Sequence, residues 1–362
     1  MVEIIPTYGM KQEFRFRVFD ITILGVIQGL KAPPEKSVYR LNNAKPCGFY
    51  VEAVHDEGVD WLNGYKATPG ELRCRHFGEF CIEIAHDNPA LRQGENQLEI
   101  EVYDGPTIES VTIDFKWDPT PMPATLDLSD LSRFSSIQQV GQVVNGAFDL
   151  DSAANLIRSR APVAPDALLV LGGQGKSQEA TYRVRFLEPH HSKWLGLSDF
   201  HAGMVEGVPP RGIKVGWSSA GMAVAMPSGG ARSFLAWGDH SGAPNEWAIA
   251  TNPPAEVDIE RGRAYRVRHQ ILLTDSFNRV RFRIWPEDEA EPSTWICDEN
   301  TGKLPPDLPR HSAASFSLFQ HMGMPVEWSD IRLRPMPDTA FDEAKPEAAR
   351  QPFFKRDRPG AF

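Results

Sequence analysis

The sequence predicts an all-β protein: a small β-sandwich followed by a larger two-sheet sandwich. Three observations predict it. Apolar residues alternate with polar ones along many short runs, the period-two signature of half-buried strands. Thirty prolines and 29 glycines supply the many turns that such strands need. The glycine-rich stretch LLVLGGQGKSQEATYRVRF (168–186) is followed by strand alternation and not by an amphipathic helix.

The first region, 1–117, is dense in strand patterns. Phe14, Phe16 and Val18 alternate with Arg15 and Arg17, and Ile82 and Ile84 with Cys81 and Glu83. Leu98, Ile100 and Val102 alternate with Gln97, Glu99 and Glu101. Residues 118–125 form the boundary, where Pro119, Pro121 and Pro123 stiffen the chain and no strand pattern crosses. The second region, 126–337, has its clearest strands at 180–187, 264–273, 278–285 and 326–334. Its length suits two larger sheets better than one small sandwich. The segment 338–362 has mixed charge, little periodicity and the character of a flexible tail, with Phe353 and Phe354 able to dock.

The glycine-rich stretch also tests one activity. A phosphate loop needs G-x-x-x-x-G-K-[ST] between a strand and a helix. Gly175, Lys176 and Ser177 fit its end, but Val170 stands where its first glycine belongs. Tyr182, Val184 and Phe186 then alternate with Thr181, Arg183 and Arg185. The expected element is a turn between two strands of a hairpin or meander, and no nucleotide is expected.

Composition sets further bounds. The apolar share of 41% and charged share of 24% are those of a globular protein. A formal charge of −10 argues against a general nucleic-acid binder, since phosphate neutralisation needs clustered Lys and Arg. The nine tryptophans are plentiful, and exposed ones often mark binding surfaces. Cys47, Cys74, Cys81 and Cys297 have no zinc spacing; a disulfide among the first three is left open. No apolar run approaches the ~18 residues that cross a bilayer. No signal-peptide pattern opens the chain, so a cytoplasmic location is expected, with an extracytoplasmic one if the chain is trimmed.

Two resemblances add to this reading. GEFCIEIAHDNPALRQGENQLEIEVYDG (78–105), with Leu91-Arg92-Gln93-Gly94-Glu95-Asn96 as its turn, resembles immunoglobulin-like bacterial modules. Residues 260–295 and 319–335, with Gly262, Tyr265, Trp285 and Trp328-Ser329-Asp330-Ile331, resemble the concanavalin A-like lectin/glucanase superfamily, which includes laminin G-like domains. The second resemblance implies a curved jelly roll whose concave face often holds sugar. Fold alone does not give function.

Three constellations could carry chemistry. Glu256-Val257-Asp258-Ile259-Glu260 looks like the E-x-D-x-E strand of laminarinase-type glucanases, which implies Glu256 as nucleophile and Glu260 as general acid/base. On a strand the alternation puts Glu256, Asp258 and Glu260 on one face. The glycine and tryptophan expected before the first glutamate are replaced by Asn252-Pro253-Pro254-Ala255, which equally suits a short strand with a solvated acidic face.

The second constellation joins Asp199 and His201 to Asp239 and His240, with Trp217 and Trp237 available to stack on sugar rings. The two His and two Asp could form a metal or an acid/base site; no metal is assigned, and Ca²⁺ is the cofactor left open, although it would need further oxygen ligands. The third is a row of arginines: Arg183, Arg185, Arg266, Arg268, Arg281 and Arg283, each opposite the apolar side of its strand. They form either a basic stripe for an acidic polysaccharide or an outer face paired with Asp and Glu.

The expected function is that of a carbohydrate-interacting protein. The expected partner is a poly- or oligosaccharide, held through Trp217, Trp237, Asp199, His201, Asp239, His240, Arg183, Arg266 and Arg281. The alternatives are a glycoside hydrolase acting through Glu256, Asp258 and Glu260, and a protein-interaction scaffold.

Overall fold

The computed structural model describes residues 2–16, 20–53, 59–60, 66–67, 74, 76–160, 166–175, 177–187, 195–201, 219–226, 230–237, 247–250, 259–273, 278–300, 314–321, 325–337 and 354–355. The protein is all-β, as its period-two patterning predicts. Among the described residues the helical element is the single turn Ile137–Val140.

The first sandwich packs a four-stranded sheet against a five-stranded one. Glu3–Pro6, Asp20–Gln28, Glu79–Ala85 and Tyr50–Val51 make the first sheet, in that order across it. Lys11–Arg15, Thr107–Asp118, Gly94–Asp104, Lys36–Leu41 and Cys47–Gly48 make the second. The alternating apolar residues meet between them: Ile21, Ile23, Ile82 and Ile84 face Leu98, Ile100, Val102, Ile113 and Phe115 in one buried cluster.

The long hairpin Gly94–Asp104/Thr107–Asp118 turns at Gly105-Pro106. Gly105 has φ +59°, and the ring of Pro106 fixes a negative φ, the sequence of signs that a type II′ hairpin turn requires. Upstream, the L-x-x-G-x-N turn is tied by Asn96. Its amide donates to the Arg92 and Gly94 carbonyls at 2.7 and 2.9 Å and accepts from the Arg92 N–H at 2.9 Å. Cys47 is an exposed free thiol.

The second sandwich pairs two eight-stranded sheets in a jelly-roll arrangement. One, the arginine sheet, runs Phe148–Asp151, Leu156–Ser159, Val326–Pro335, Ser177–Phe186, Ala264–Leu273, Asn278–Pro286 and Cys297–Asn300, with Leu126–Leu128 also on Val326–Pro335. The facing sheet runs Gln142–Asn145, Asp166–Gly175, Ala314–His321, Leu195–His201, Ser219–Met226, Gly230–Trp237, Trp247–Ala250 and Phe354–Lys355. Tyr182, Val184, Val267, Phe282, Ile284 and Trp328 of the first sheet pack on Leu169, Leu171, Phe316 and Leu318 of the second.

The glycine-rich turn departs from the expected hairpin. Asp166–Gly175 and Ser177–Phe186 lie in opposite sheets, so the segment is a crossover. The glycines answer to crowding. Gly173 has φ +78°, and a Cβ there would stand 2.2 Å from Gln178 Oε1. Its N–H donates to the Pro123 carbonyl at 2.8 Å, which docks the proline-rich boundary onto the second sandwich.

The two sandwiches are joined by a built interface. Phe16 and Met122 pack with Val144, Leu168 and Val170 in a separate buried cluster. Around it, the Gln138 side chain donates to Gln12 Oε1 at 3.1 Å and accepts from the Glu13 N–H at 3.1 Å. The Phe148 N–H donates to the Tyr8 hydroxyl at 3.0 Å, and Arg15 donates to the Gln139 carbonyl at 2.8 Å. Phe16 holds φ +71°, a costly conformation for an aromatic residue that its seat in this cluster stabilises.

Candidate functional site

The outer face of the arginine sheet concentrates the protein's charged chemistry. On Ser177–Phe186 the side chains of Ala180, Tyr182, Val184 and Phe186 enter the core. Glu179, Thr181, Arg183 and Arg185 therefore point the other way. The same parity turns Arg266, Arg268 and Gln270 outward on the next strand, and Arg281, Arg283 and Trp285 on the one after. Registers of Arg183 opposite Arg266, and of Arg268 opposite Arg283, bring the arginine row into one field. Cross-strand neighbours on one face stand roughly 5 Å apart, so charges on adjacent strands meet directly.

The pairing follows one rule: each carboxylate serves two guanidinium groups. Glu327 accepts from Arg158 Nε at 3.0 Å and from Arg185 Nε at 2.7 Å. Glu287 lies between Arg183 at 2.7 Å and Arg266 at 3.0 Å. Glu179 lies between Arg268 and Arg334, both at 2.7 Å, and takes the Gln270 amide at 2.6 Å. Glu291 lies between Arg268 and Arg283, both at 2.6 Å. Asp330 bridges Arg266 to Arg332, and Asp298 holds Arg279 at 2.9 Å and Arg281 at 3.5 Å. A guanidinium carries five N–H donors, so shared carboxylates leave donors and net positive charge on the face.

A bulge opens part of this face. Between Ser177–Phe186 and Val326–Pro335 the register shifts between Thr181 and Arg183. Asp330 takes φ +50° there, a left-handed conformation that aspartate tolerates better than most residues. The bulge places Asp330 beside both Arg266 and Arg332.

Trp295 completes the site. Its ring lies 4.1 Å from the Arg283 guanidinium and 5.8 Å from that of Arg281. Trp295 and Trp285 are both half-buried. The surroundings set the ionisation. Burial pushes Glu179 and Glu327 up, but hydrogen bonds, from Gln270 and Arg268 to Glu179 and from Arg158 and Arg185 to Glu327, outweigh it and hold both below the ordinary carboxylate range. The Arg268 hydrogen bond holds Glu291 low as well, and burial pushes Arg283 down. Behind this face, His269 is fully buried against Phe282, and burial pushes it down to about 3.

The structure places the other sequence-derived candidates as follows. Asp199 stands opposite Ser317 and Met222 in register, and His201 opposite Ser315 and Ser219, on the facing sheet. Trp237 stands opposite Trp247 near that sheet's edge. Trp217, Asp239, His240, Glu256 and Asp258 lie outside the described residues. Glu260 follows them in a turn, more than half exposed and paired with Arg263 at 2.8 Å, while Ile259 enters the core.

Of the arginine candidates, Arg183 and Arg266 share Glu287, and Arg281 sits at the far strand beside Trp295. Sequence reasoning missed Trp295, Glu179, Glu287, Glu291 and Glu327. Glu179 alone carried a local signal, the strand parity it shares with Arg183 and Arg185. Among the described residues no group of three or more His, Cys, Asp or Glu side chains could hold a metal ion. Among them, no helix is long and apolar enough to cross a membrane.

No family model and no curated protein matches the chain. Among solved structures, alginate lyase A1-II′ of polysaccharide lyase family 7 is similar at 12% identity, over 58% of this chain and 90% of its own, with a TM-score of 0.31. The carbohydrate recognition domain of Emp46p is similar at 10% identity, over 59% and 98%, with a TM-score of 0.33. Likeness at this level speaks for neither a ligand nor an activity.

Proposed function

We propose that this protein binds a glycan bearing carboxylate or sulfate groups on the outer face of the arginine sheet. One observation carries the reading: a chain with a formal charge of −10 gathers arginines on one sheet face and gives each carboxylate there to two of them. Guanidinium groups recognise carboxylate and sulfate bidentately. Flat, polar side chains held by one another are already oriented, so little rotamer entropy is lost on binding. Trp295 and Trp285 add apolar surface for the faces of sugar rings.

The chemistry favours binding over hydrolysis. A hydrolase working through paired carboxylates needs one of them held protonated near neutral pH. The described carboxylates of this face with a shifted pKa are all shifted down. A protein-binding scaffold would show a continuous apolar patch. Among the described residues the exposed large hydrophobics are Met10 and Ile108, in the first sandwich.

The test is a glycan array of acidic and neutral polysaccharides, each hit followed by a reducing-end assay. The proteins are wild type, Arg183→Ala/Arg266→Ala and Glu256→Gln. Binding of acidic glycans without product release, reduced about tenfold or more in the arginine variant, supports the reading. Product release abolished in Glu256→Gln would replace it with the hydrolase reading. Binding unchanged in the arginine variant would move the ligand away from this face.

A further inference from the structure

One carboxylate of the arginine network differs from the rest in where it comes from. Glu179, Glu327, Asp298 and Asp330 project from strands of the sheet itself. Glu287 directly follows the strand Asn278–Pro286, and its N–H donates to the Ala264 carbonyl at 3.0 Å. Glu291 instead reaches back onto the face from the connection between Asn278–Pro286 and Cys297–Asn300. That connection is a strap with pinned ends. At one end the Glu289 N–H donates to the Pro286 carbonyl at 3.0 Å. At the other the Ile296 N–H donates to the Phe282 carbonyl at 3.1 Å, and the Ile296 side chain packs on the core.

Between those pins, residues 290–295 make no backbone–backbone hydrogen bond among the described residues. Ala290, Ser293 and Thr294 are exposed. What ties this span to the sheet is arginine. Arg268 donates from Nε to one oxygen of Glu291 at 2.6 Å and from Nη2 to the other at 3.0 Å. Arg283 meets the first oxygen at 2.6 Å, and its Nη1 donates to the Pro292 carbonyl at 2.5 Å. Trp295 lies over the same guanidinium. The side-on fork of Arg268 is the form in which a guanidinium takes a free carboxylate.

Arg268 thus has two carboxylates of different standing. Glu179, at 2.7 Å, is 5% exposed and fixed in the sheet, while Glu291 is 31% exposed and delivered by the strap. Two polar atoms beside this pair are buried without a hydrogen-bond partner among the described residues, Arg283 Nε and Gln270 Oε1. Gln270 itself is 7% exposed, and it follows Arg268 on the same outward side of its strand. If Glu291 lifts, Arg268, Arg283 and Arg334 are left with Glu179. Half-buried guanidinium groups that lose a counter-charge are costly, so the strap lifts only when another anion takes the seat.

We propose that the seat of Glu291 is the carboxylate subsite of the arginine face, and that the strap keeps it closed as an internal competitor until a uronate carboxylate replaces Glu291. The inference rests on the reading given above for that face and names the group recognised there. In the exchange the uronate takes the fork of Arg268 and the bond from Arg283. Its neighbouring hydroxyls donate to Gln270 Oε1 and accept from Arg283 Nε. Trp295 adjoins the pinned Ile296, so it stays beside the seat as the Glu291 end lifts. A tethered carboxylate acts at an effective concentration of about millimolar, so a ligand must bring further contacts on the face to displace it.

Full-length wild type, Glu291→Gln and Glu289→Gln are titrated with a tetrauronate and with a neutral tetrasaccharide, each protein first checked for unchanged unfolding. Glu289→Gln removes the same charge from the same strap, at a residue that pairs with Arg263 at 3.0 Å. The expected result is that Glu291→Gln binds the tetrauronate at least about tenfold more tightly than wild type, Glu289→Gln stays within about twofold of it, and the neutral sugar distinguishes none of them. Binding confined to Glu291→Gln supports the competitor in its strongest form. Wild type that binds while Glu291→Gln gains nothing overturns the competitor and leaves the arginine-face reading standing. Equal gains in both variants overturn it as an effect of net charge. No binding by any of the three overturns the arginine-face reading and the competitor with it. A second measurement needs no variant: saturating tetrauronate should speed cleavage of wild type after Glu289 by a glutamyl endopeptidase, as the strap lifts. Unchanged or slower cleavage shows that the strap stays down on the ligand and overturns the exchange.

Discussion

The two sandwiches each present a charged outer sheet face, and the minority charge in each ion-pair network has the opposite sign. On the first, one arginine serves two carboxylates: Arg40 donates to Glu99 at 3.2 Å and to Glu101 at 2.5 Å. On the second, one carboxylate serves two arginines, repeated at Glu179, Glu287, Glu291 and Glu327. The local geometry is the same, a two-residue period and close cross-strand neighbours. Only the sign in the minority differs. The minority charge is the one each face can least lose, because removing it leaves like charges side by side.

The burial of that minority charge sets the size of the effect. Glu327 is the extreme case, with its side chain 4% exposed. Glu327→Gln leaves Arg158 and Arg185 facing each other without a counter-charge. Both arginines are more than a third exposed, which softens the penalty. The expected loss is about 2–3 kcal/mol of stability, read from denaturant unfolding. A loss below roughly 0.5 kcal/mol would show that the network is solvated and not structural.

Acid sharpens the comparison further. The folded values of Glu179, Glu291 and Glu327 are held low, so their contribution is complete above the unfolded carboxylate value, near pH 4.3, and is lost as pH falls through the folded ones. His269 acts earlier. It is pushed down to about 3 in the folded state, so the unfolded chain takes up its proton first as pH falls from about 6.5. Stability should fall by up to about 1.4 kcal/mol per pH unit from pH 6 towards pH 4.5, and His269→Leu should flatten that slope. An unchanged slope in the variant would assign the acid sensitivity to other groups.

The smallest effect is expected at the first face. Arg40→Ala should shift the unfolding midpoint less than Glu327→Gln does, and added salt should shrink the shift, since the minority charge here is 29% exposed against 4% at Glu327. A larger shift than at Glu327 would reverse the comparison.

These faces were partly legible in the sequence. The alternation in TYRVRF, YRVRH and VRFRI is enough to put Arg183, Arg185, Arg266, Arg268, Arg281 and Arg283 opposite the core side of their strands. Their partners were not legible. Glu327 meets Arg158 and Arg185 because Val326–Pro335 lies between Leu156–Ser159 and Ser177–Phe186, an order set by chain crossovers that leave no local trace. Trp295 reaches Arg283 from a turn region without periodicity. The glycine-rich stretch misled for a related reason. Its glycines mark close approach to Pro123 and Gln178, and a crossover between sheets shows the same flanking alternation as a hairpin.

One pairing in the first sandwich bears on mechanics. Lys11–Arg15 runs parallel to Thr107–Asp118, the strand that leads out toward the second sandwich. The Phe16 N–H extends that contact to the Asp118 carbonyl at 3.0 Å. Tension applied at Asp118 would draw Thr107–Asp118 along its neighbours, stressing several ladder hydrogen bonds at once instead of peeling them one by one. Shear of this kind resists rupture better than unzipping, so the strand that leads into the joint between the sandwiches is held against tension along the chain.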